Sequence, residues 1–234
     1  LNTVLISGGT RGVGLEIAKM FKKRDFNVVI TGRDVNYSEK IATNLNNDYP
    51  SKGTVKGYKL DFTDIHKSST LLNNLKNQII KPTYLINNAG VLMLNNIETV
   101  TEKQLDTMFK VNTYGPILLT KLCKNHIWKN KEGGILFNSP PYKIDEKTTH
   151  LMPYMQSKLA QTTFMKSLAN SIPYDNHNIL VSSFWTNYPL LTDAILKRGI
   201  GNEEDCMHPA ILSRTLNELI FNTSDRIVYN GTEI

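Results

Sequence analysis

Tyr154 and Lys158 stand four residues apart in the stretch Tyr154-Met155-Gln156-Ser157-Lys158, directly after Pro153. Proline suits the first turn of a helix, so the two side chains share one helical face. An isolated tyrosine titrates at about pH 10 and is a poor acid or base at neutrality. A lysine ammonium close by, together with the positive end of the helix, favours the phenolate and brings the phenol toward working pH. Gln161 extends this polar face, whereas Leu159, Thr163 and Phe164 are expected to turn elsewhere, into the core. Alone, a Tyr-x-x-x-Lys spacing is common on helices, and its weight here comes from a glycine cluster near the N-terminus.

That cluster, Gly8-Gly9-Thr10-Arg11-Gly12-Val13-Gly14, follows a short β-branched run and opens a helix. Glycines at such a turn let the backbone bend sharply and approach a pyrophosphate, which then rests on the helix N-terminus. No Walker lysine–serine pair competes with this dinucleotide reading. A site for NAD(H) usually places a carboxylate at the end of the second strand, to bond the ribose diol. Here that strand ends Thr31-Gly32-Arg33, and Arg11 lies within the glycine turn. Two guanidiniums suit a 2′-phosphate, which favours NADP(H) over NAD(H), although Asp34 competes for Arg33.

The elements that must hold these groups alternate along the chain. Strands are expected at 3–7, 26–31, 54–60, 84–86, 135–137, 179–183 and 226–229. Helices are expected from the glycine turn to Arg24, then at 38–47, 65–80, 101–110, 114–128, 154–171 and 209–221. Unbroken apolar strands taking turns with helices predict an α/β domain: a parallel sheet covered on both faces. Nothing in the pattern divides the chain, so residues 1–234 read as one domain. The segments 139–153 and 183–204 are longer than a scaffold needs, and ligands bind past the carboxyl ends of strands.

Composition narrows the function classes. The 234 residues are 40% hydrophobic and 21% charged, enough to build a core without a metal or crosslink. Two cysteines, Cys123 and Cys206, are too few for a secreted disulfide framework, and no leader is recognisable, so a cytoplasmic location is expected. No apolar run reaches the roughly 20 residues that span a bilayer, so no membrane partner is expected. The net charge of +6 comes from scattered lysines rather than a basic block, which argues against nucleic-acid binding. His150, His177 and His208 lack metal-ligand spacing, and no metal site is expected.

With these residues in place the chain resembles the short-chain dehydrogenase/reductase family over essentially its whole length. Further signatures stand in order: Asp61 after the third strand, Asn87-Asn88-Ala89-Gly90 after the fourth, and Asn112 in Val111-Asn112-Thr113-Tyr114-Gly115. The resemblance implies a Rossmann-type doubly wound sheet of about seven strands. It implies that Asp61 contacts the adenine side and that Asn88, Ala89 and Gly90 lie beside the cofactor. It implies Tyr154 as the general acid that protonates a carbonyl oxygen as hydride arrives, with Lys158 holding the nicotinamide ribose. Asn112 would anchor a water linking that lysine to solvent. It also implies a homodimer built on the long helices after the fourth and fifth strands, where Leu118, Leu122 and Phe164 serve either that interface or the core.

Two segments depart from the family pattern. After the fifth strand stands Phe137-Asn138-Ser139-Pro140-Pro141, so Ser139 is the hydroxyl available to bond the substrate carbonyl, or else a turn serine held by prolines. This Ser-Pro-Pro form, like the stretch Ser183-Phe184-Trp185-Thr186-Asn187, is similar to the hydroxysteroid-dehydrogenase-like branch. There Thr186-Asn187 replaces the usual Pro-Gly pair, with Thr192 downstream as the expected cofactor contact. Trp185, Tyr188, Leu190 and Leu191 serve either apolar substrate contacts or simple core packing. Two functions therefore stand side by side: a carbonyl reductase or alcohol dehydrogenase acting on a small molecule, and an NADPH-binding regulator with little turnover.

Overall fold

In the computed structural model the described residues are 1–140, 151–173, 178–186, 189–197, 199, 204–222 and 231–232. Six strands, β1 (Thr3–Ile6), β2 (Asn27–Gly32), β3 (Val55–Lys59), β4 (Tyr84–Asn87), β5 (Glu132–Asn138) and β6 (Asn178–Phe184), form one parallel sheet in the order β3-β2-β1-β4-β5-β6. Between them run α1 (Gly12–Lys22), α2 (Val35–Asp48), α3 (Ser69–Lys76), α4 (Glu102–Phe109), α5 (Gly115–Asn130) and α6 (Met152–Ala169). A short α7 (Asp193–Leu196) and α8 (Pro209–Phe221) follow β6.

The central strands β1 and β4 are apolar on both faces because both are covered, whereas the edge strand β3, Val55-Lys56-Gly57-Tyr58-Lys59, is largely half-exposed. In β1, Val4 and Ile6 point into a cluster with Ile17 and Phe21 of α1 and Leu216 of α8. Leu5 points the opposite way, into a cluster with Leu71 of α3, Leu119 and Cys123 of α5 and Met165 of α6. This period-two alternation fixes the register of the central strand against two separate cores. At the outer edge of β3, Asn46 of α2 stands in for a neighbouring strand: its Oδ1 accepts from Val55 N at 2.8 Å and its Nδ2 donates to Val55 O at 3.0 Å.

The expected elements are present with instructive differences. The helix expected at 65–80 begins as a 3-10 turn, Ile65–Ser68, before α3. The two helices expected at 101–110 and 114–128 are joined through a π turn, Lys110–Tyr114. Pro116 has no N–H to return to Asn112 four residues back, and the backbone widens there. Asp34 caps α2 by accepting from Tyr37 N at 3.1 Å, which starts that helix earlier than expected. The strand expected at 226–229 lies outside the described residues, so among the described residues the sheet has six strands rather than seven. Residues 231–232 lie along the outer edge of β6, where Gly231 N donates to Val181 O at 2.8 Å and Ser183 N donates to Thr232 O at 3.2 Å. Among the described residues no helix is long and apolar enough to cross a membrane.

Candidate active site

The strand order reverses between β1 and β4, and the segments leaving those two strands meet there. Ser7, fully buried just past β1, accepts at Oγ from Asn88 N at 3.0 Å and Ala89 N at 3.1 Å. Asn88 Nδ2 donates back to Ser7 O at 3.2 Å and Gly8 O at 3.1 Å. Gly8 sits at φ +66°, and a Cβ on it would lie 3.0 Å from Ala89 Cα. A Cβ on Gly14, in the first turn of α1, would lie 2.2 Å from Gly8 O and 2.6 Å from Asn88 Nδ2. The turn and the helix N-terminus approach so closely only because these positions are glycine. Gly8 N donates to Thr31 Oγ1 at 3.3 Å and Gly9 N to Thr31 O at 3.1 Å, so the anion-favouring end of the turn is the first turn of α1, whose N–H groups have no intrahelical partner. Val13 and Thr10 are buried behind it, and Thr192 reaches it from the segment after β6, with its Cγ2 3.2 Å from where a Cβ on Gly12 would stand.

Arg11 and Arg33 are both exposed, and neither is in an ion pair among the described residues. The carboxylate of Asp34 caps α2 instead of taking Arg33. A Cβ at Gly32 would lie 2.9 Å from Ser38 Oγ and 3.1 Å from Thr10 Cγ2, so an acidic side chain has no room at the strand end. Asp61, half-buried past β3, accepts at Oδ1 from Thr63 N at 3.0 Å and Thr63 Oγ1 at 2.6 Å.

On the other side of the reversal α6 brings Lys158 to the end of β5 and Ser157 to Asn112, with Tyr154 one helical turn before Lys158. Lys158 is 2% exposed, and its Nζ donates to Asn138 O at 2.7 Å. The next residue, Ser139, is fully buried with an Oγ that has no hydrogen-bond partner among the described residues. A Cβ on Gly90 would lie 3.2 Å from Lys158 Nζ and 3.4 Å from Asn112 Oδ1, so the loop after β4 passes directly over both. Asn112 accepts at Oδ1 from Val91 N at 2.8 Å and donates from Nδ2 to Val91 O and Ser157 Oγ, both at 2.9 Å.

The Lys158 ammonium was expected to favour the Tyr154 phenolate. Instead burial pushes the Tyr154 phenol up and pulls the Lys158 ammonium down to about 7. The lysine donates to a strand-end carbonyl, and desolvation governs both groups. Thr163, expected in the core, is exposed, whereas Gln161 is wholly buried and neither atom of its amide has a partner among the described residues. Burial also pushes the Cys123 thiol up to about 12. His208 accepts from Ala210 N at the start of α8, while His150, His177, Asn187 and Tyr188 lie outside the described residues. Among the described residues no cluster has metal-binding composition. A separate groove of about 570 Å³ between α2, β3 and α3 contains none of the expected site residues.

Direct approaches join Gly8, Gly14, Asn88 and Ala89 at the glycine turn, with Gly12 against Thr192, and join Gly90, Asn112 and Lys158 on the other side. Ser139 follows Asn138 in the chain, and Tyr154 precedes Lys158 by one helical turn. Sequence reasoning missed Ser7, Asn138 and Ser157, whose side chains connect these groups. Ser157 and Asn138 lie inside the informative motifs, but neither carries chemistry of its own.

Residues 2–194 match the family described as short chain dehydrogenase. The chain belongs to that family. Among curated relatives, hydroxysteroid dehydrogenase-like protein 2 of Xenopus laevis is 25% identical over 95% of this chain and 54% of its own length. The chain thus spans about half of that relative. The NADP-dependent (R)-specific alcohol dehydrogenase of Lentilactobacillus kefiri is 25% identical over 81% of this chain and 75% of its own length. Among solved structures, L-sorbose reductase from Gluconobacter frateurii, complexed with NADPH and L-sorbose, has a TM-score of 0.81 at 18% identity, covering 99% of this chain and 93% of that one. The short-chain dehydrogenase fold therefore extends beyond the residues of the family match.

Proposed function

We propose that the chain is an NADP(H)-dependent oxidoreductase that interconverts a carbonyl and an alcohol, with Tyr154 as general acid and base. The observation that carries this reading is the buried, unpartnered hydroxyl of Ser139, one residue beyond the carbonyl that holds Lys158. A buried hydroxyl without a partner is costly until one arrives, and a substrate carbonyl oxygen is such a partner.

The residues fit a nicotinamide dinucleotide. The close packing of Gly8, Gly14 and Ala89 tolerates no Cβ and keeps the N-terminus of α1 bare of side chains at the turn, where a pyrophosphate suits the helix N–H groups. Arg11 and Arg33 would hold a 2′-phosphate, Asp61 would face the adenine, and Asn88, Ala89, Gly90, Thr192 and Lys158 would line the rest. When bound, that group supplies or accepts the hydride. Two of the similar proteins named above are NADP-dependent or hold NADPH, which supports the choice of dinucleotide.

The remaining chemistry belongs to this chain. Burial raises the Tyr154 pKa, so the phenol keeps its proton at neutral pH and would give it up only to a strongly basic, alkoxide-like oxygen. Lys158, titrating at about 7, exchanges a proton close to working pH and can restore the phenol. Ser139 Oγ would donate to the same oxygen and stabilise developing negative charge there. Asn112 fixes the loop at Val91 and, through Ser157, the helix that carries Tyr154.

The test is NADPH oxidation at high protein concentration over a panel of aldehydes, ketones and hydroxy ketones. Turnover of one class supports the reading. Tight NADPH binding without turnover on any compound favours a cofactor-binding regulator, and absence of NADPH binding removes both.

A further inference from the structure

We infer that Asn138 is a positioning residue that ties the glycine turn to Lys158, so that the orientation of the amine depends on how a dinucleotide seats on the turn. The inference rests on the reading of Lys158 given above. Asn138 ends β5 and uses both of its polar ends. Its main-chain carbonyl accepts from Lys158 Nζ at 2.7 Å, and its side-chain Nδ2 donates to Asn88 Oδ1 at 3.0 Å. Asn88 Nδ2 continues the line to Gly8 O at 3.1 Å and Ser7 O at 3.2 Å. An unbroken series of hydrogen bonds thus runs from the turn that would cradle the pyrophosphate to the buried amine.

Three features make this more than adjacency. Lys158 is 2% exposed, so its geometry is set by a protein acceptor rather than by water, and that acceptor is Asn138 O. The peptide at the tip of β5 is held on one side by its register with Phe184 of β6 and on the other by the Asn138 amide. Gly14 leaves the space that the Asn88 amide occupies, since a Cβ there would stand 2.6 Å from Nδ2. Any displacement of Gly8 O therefore reaches Asn88, then the β5 tip, then Lys158. Truncating Asn138 leaves Asn88 Oδ1 without this donor and frees the strand tip on one side.

The experiment compares Asn138→Ala, Asn88→Ala and the double variant in the full chain. It reads NADPH affinity by fluorescence quenching, and kcat and KM on a carbonyl substrate. Asn138→Ala is expected to weaken NADPH binding about fivefold and lower kcat about tenfold with carbonyl KM within about twofold, and the double variant should lose no more NADPH affinity than the worse single. Asn138→Asp, which keeps size and main-chain carbonyl but opposes Asn88 Oδ1 with an acceptor, is expected to move both quantities the same way and carries the test if the alanine variant does not fold. NADPH affinity and kcat within about twofold of the parent in the Asn138 variants, or fully additive losses in the double variant, would overturn the inference. Failure of the underlying reading shows separately, as undiminished turnover in Tyr154→Phe. The non-additive loss of NADPH affinity needs no turnover and decides the role of Asn138 by itself.

Discussion

Asn112 Nδ2 donates to Ser157 Oγ at 2.9 Å, and through that hydroxyl the π turn is fastened to the helix that carries Tyr154. Ser157 Oγ donates onward to Tyr154 O at 2.7 Å, and Thr113 Oγ1 donates to Ser157 O at 2.7 Å. Ser157→Ala deletes the shared hydroxyl and leaves Asn112 with its Val91 contacts alone. The expected cost is about 1–2 kcal/mol of stability, read by urea unfolding. Turnover should fall about tenfold, because the phenol and the Asn112 turn lose their common anchor. Unchanged stability and rate would show that the hydroxyl fastens nothing.

Gly14→Ala places a methyl 2.2 Å from Gly8 O and 2.6 Å from Asn88 Nδ2. Both neighbours are held by backbone or by hydrogen bonds to Ser7 and Gly8, so neither yields easily. The variant is expected to lose about 3 kcal/mol and to bind NADPH at least about tenfold more weakly. Thermal unfolding and fluorescence titration measure the two effects, and full affinity in a folded variant would place the dinucleotide elsewhere.

Among the described residues Arg11 and Arg33 make no ion pair, and a Cβ at Gly32 would crowd Ser38 Oγ and Thr10 Cγ2. Replacing both arginines by alanine should weaken NADPH binding at least about tenfold while leaving NADH binding within about twofold, because only the 2′-phosphate is lost as a partner. Equal losses for both dinucleotides would contradict this discrimination.

Burial lowers Lys158 from 10.5 to about 7. Between those values the unfolded chain binds a proton that the native chain does not, so stability rises with pH through the window, by up to about 1.4 kcal/mol per pH unit. Cys123 acts in the opposite sense: raised by burial from 9.0 to about 12, its thiol keeps a proton that the unfolded chain loses, so stability falls as pH passes through that range. Tyr154, raised above its ordinary 10.0, adds to that fall. Urea midpoints of the chain alone should therefore climb between pH 7 and pH 9 and stop climbing above. Lys158→Met should remove the climb, and an identical climb in that variant would assign it to other groups.

Much of this was legible because backbone requirements leave local signatures. The glycine turn announces itself, since close approach of Gly14 to Gly8 O tolerates no side chain. The parallel sheet is legible because strands covered on both faces must be apolar throughout, as in Leu85 and Ile86. What stayed hidden depends on contacts between residues distant in sequence. Asn138 and Asn88 are fifty residues apart, and nothing local to either reveals their hydrogen bond. Asn46, one of many asparagines in α2, plugs the edge of β3 only once helix and strand are packed. The charge states of Tyr154 and Lys158 were misjudged because four-residue spacing fixes a shared face but not the depth of burial, and here burial decides both.

The central claim concerns the phenol of Tyr154, and Tyr154→Phe tests it with the loss of one oxygen from a half-buried ring. Steady-state NADPH oxidation on the best carbonyl substrate should fall by at least about a thousandfold, with NADPH affinity held within about threefold. Turnover within about tenfold of the parent chain, at unchanged NADPH affinity, would mean that the proton reaches the carbonyl oxygen from another group.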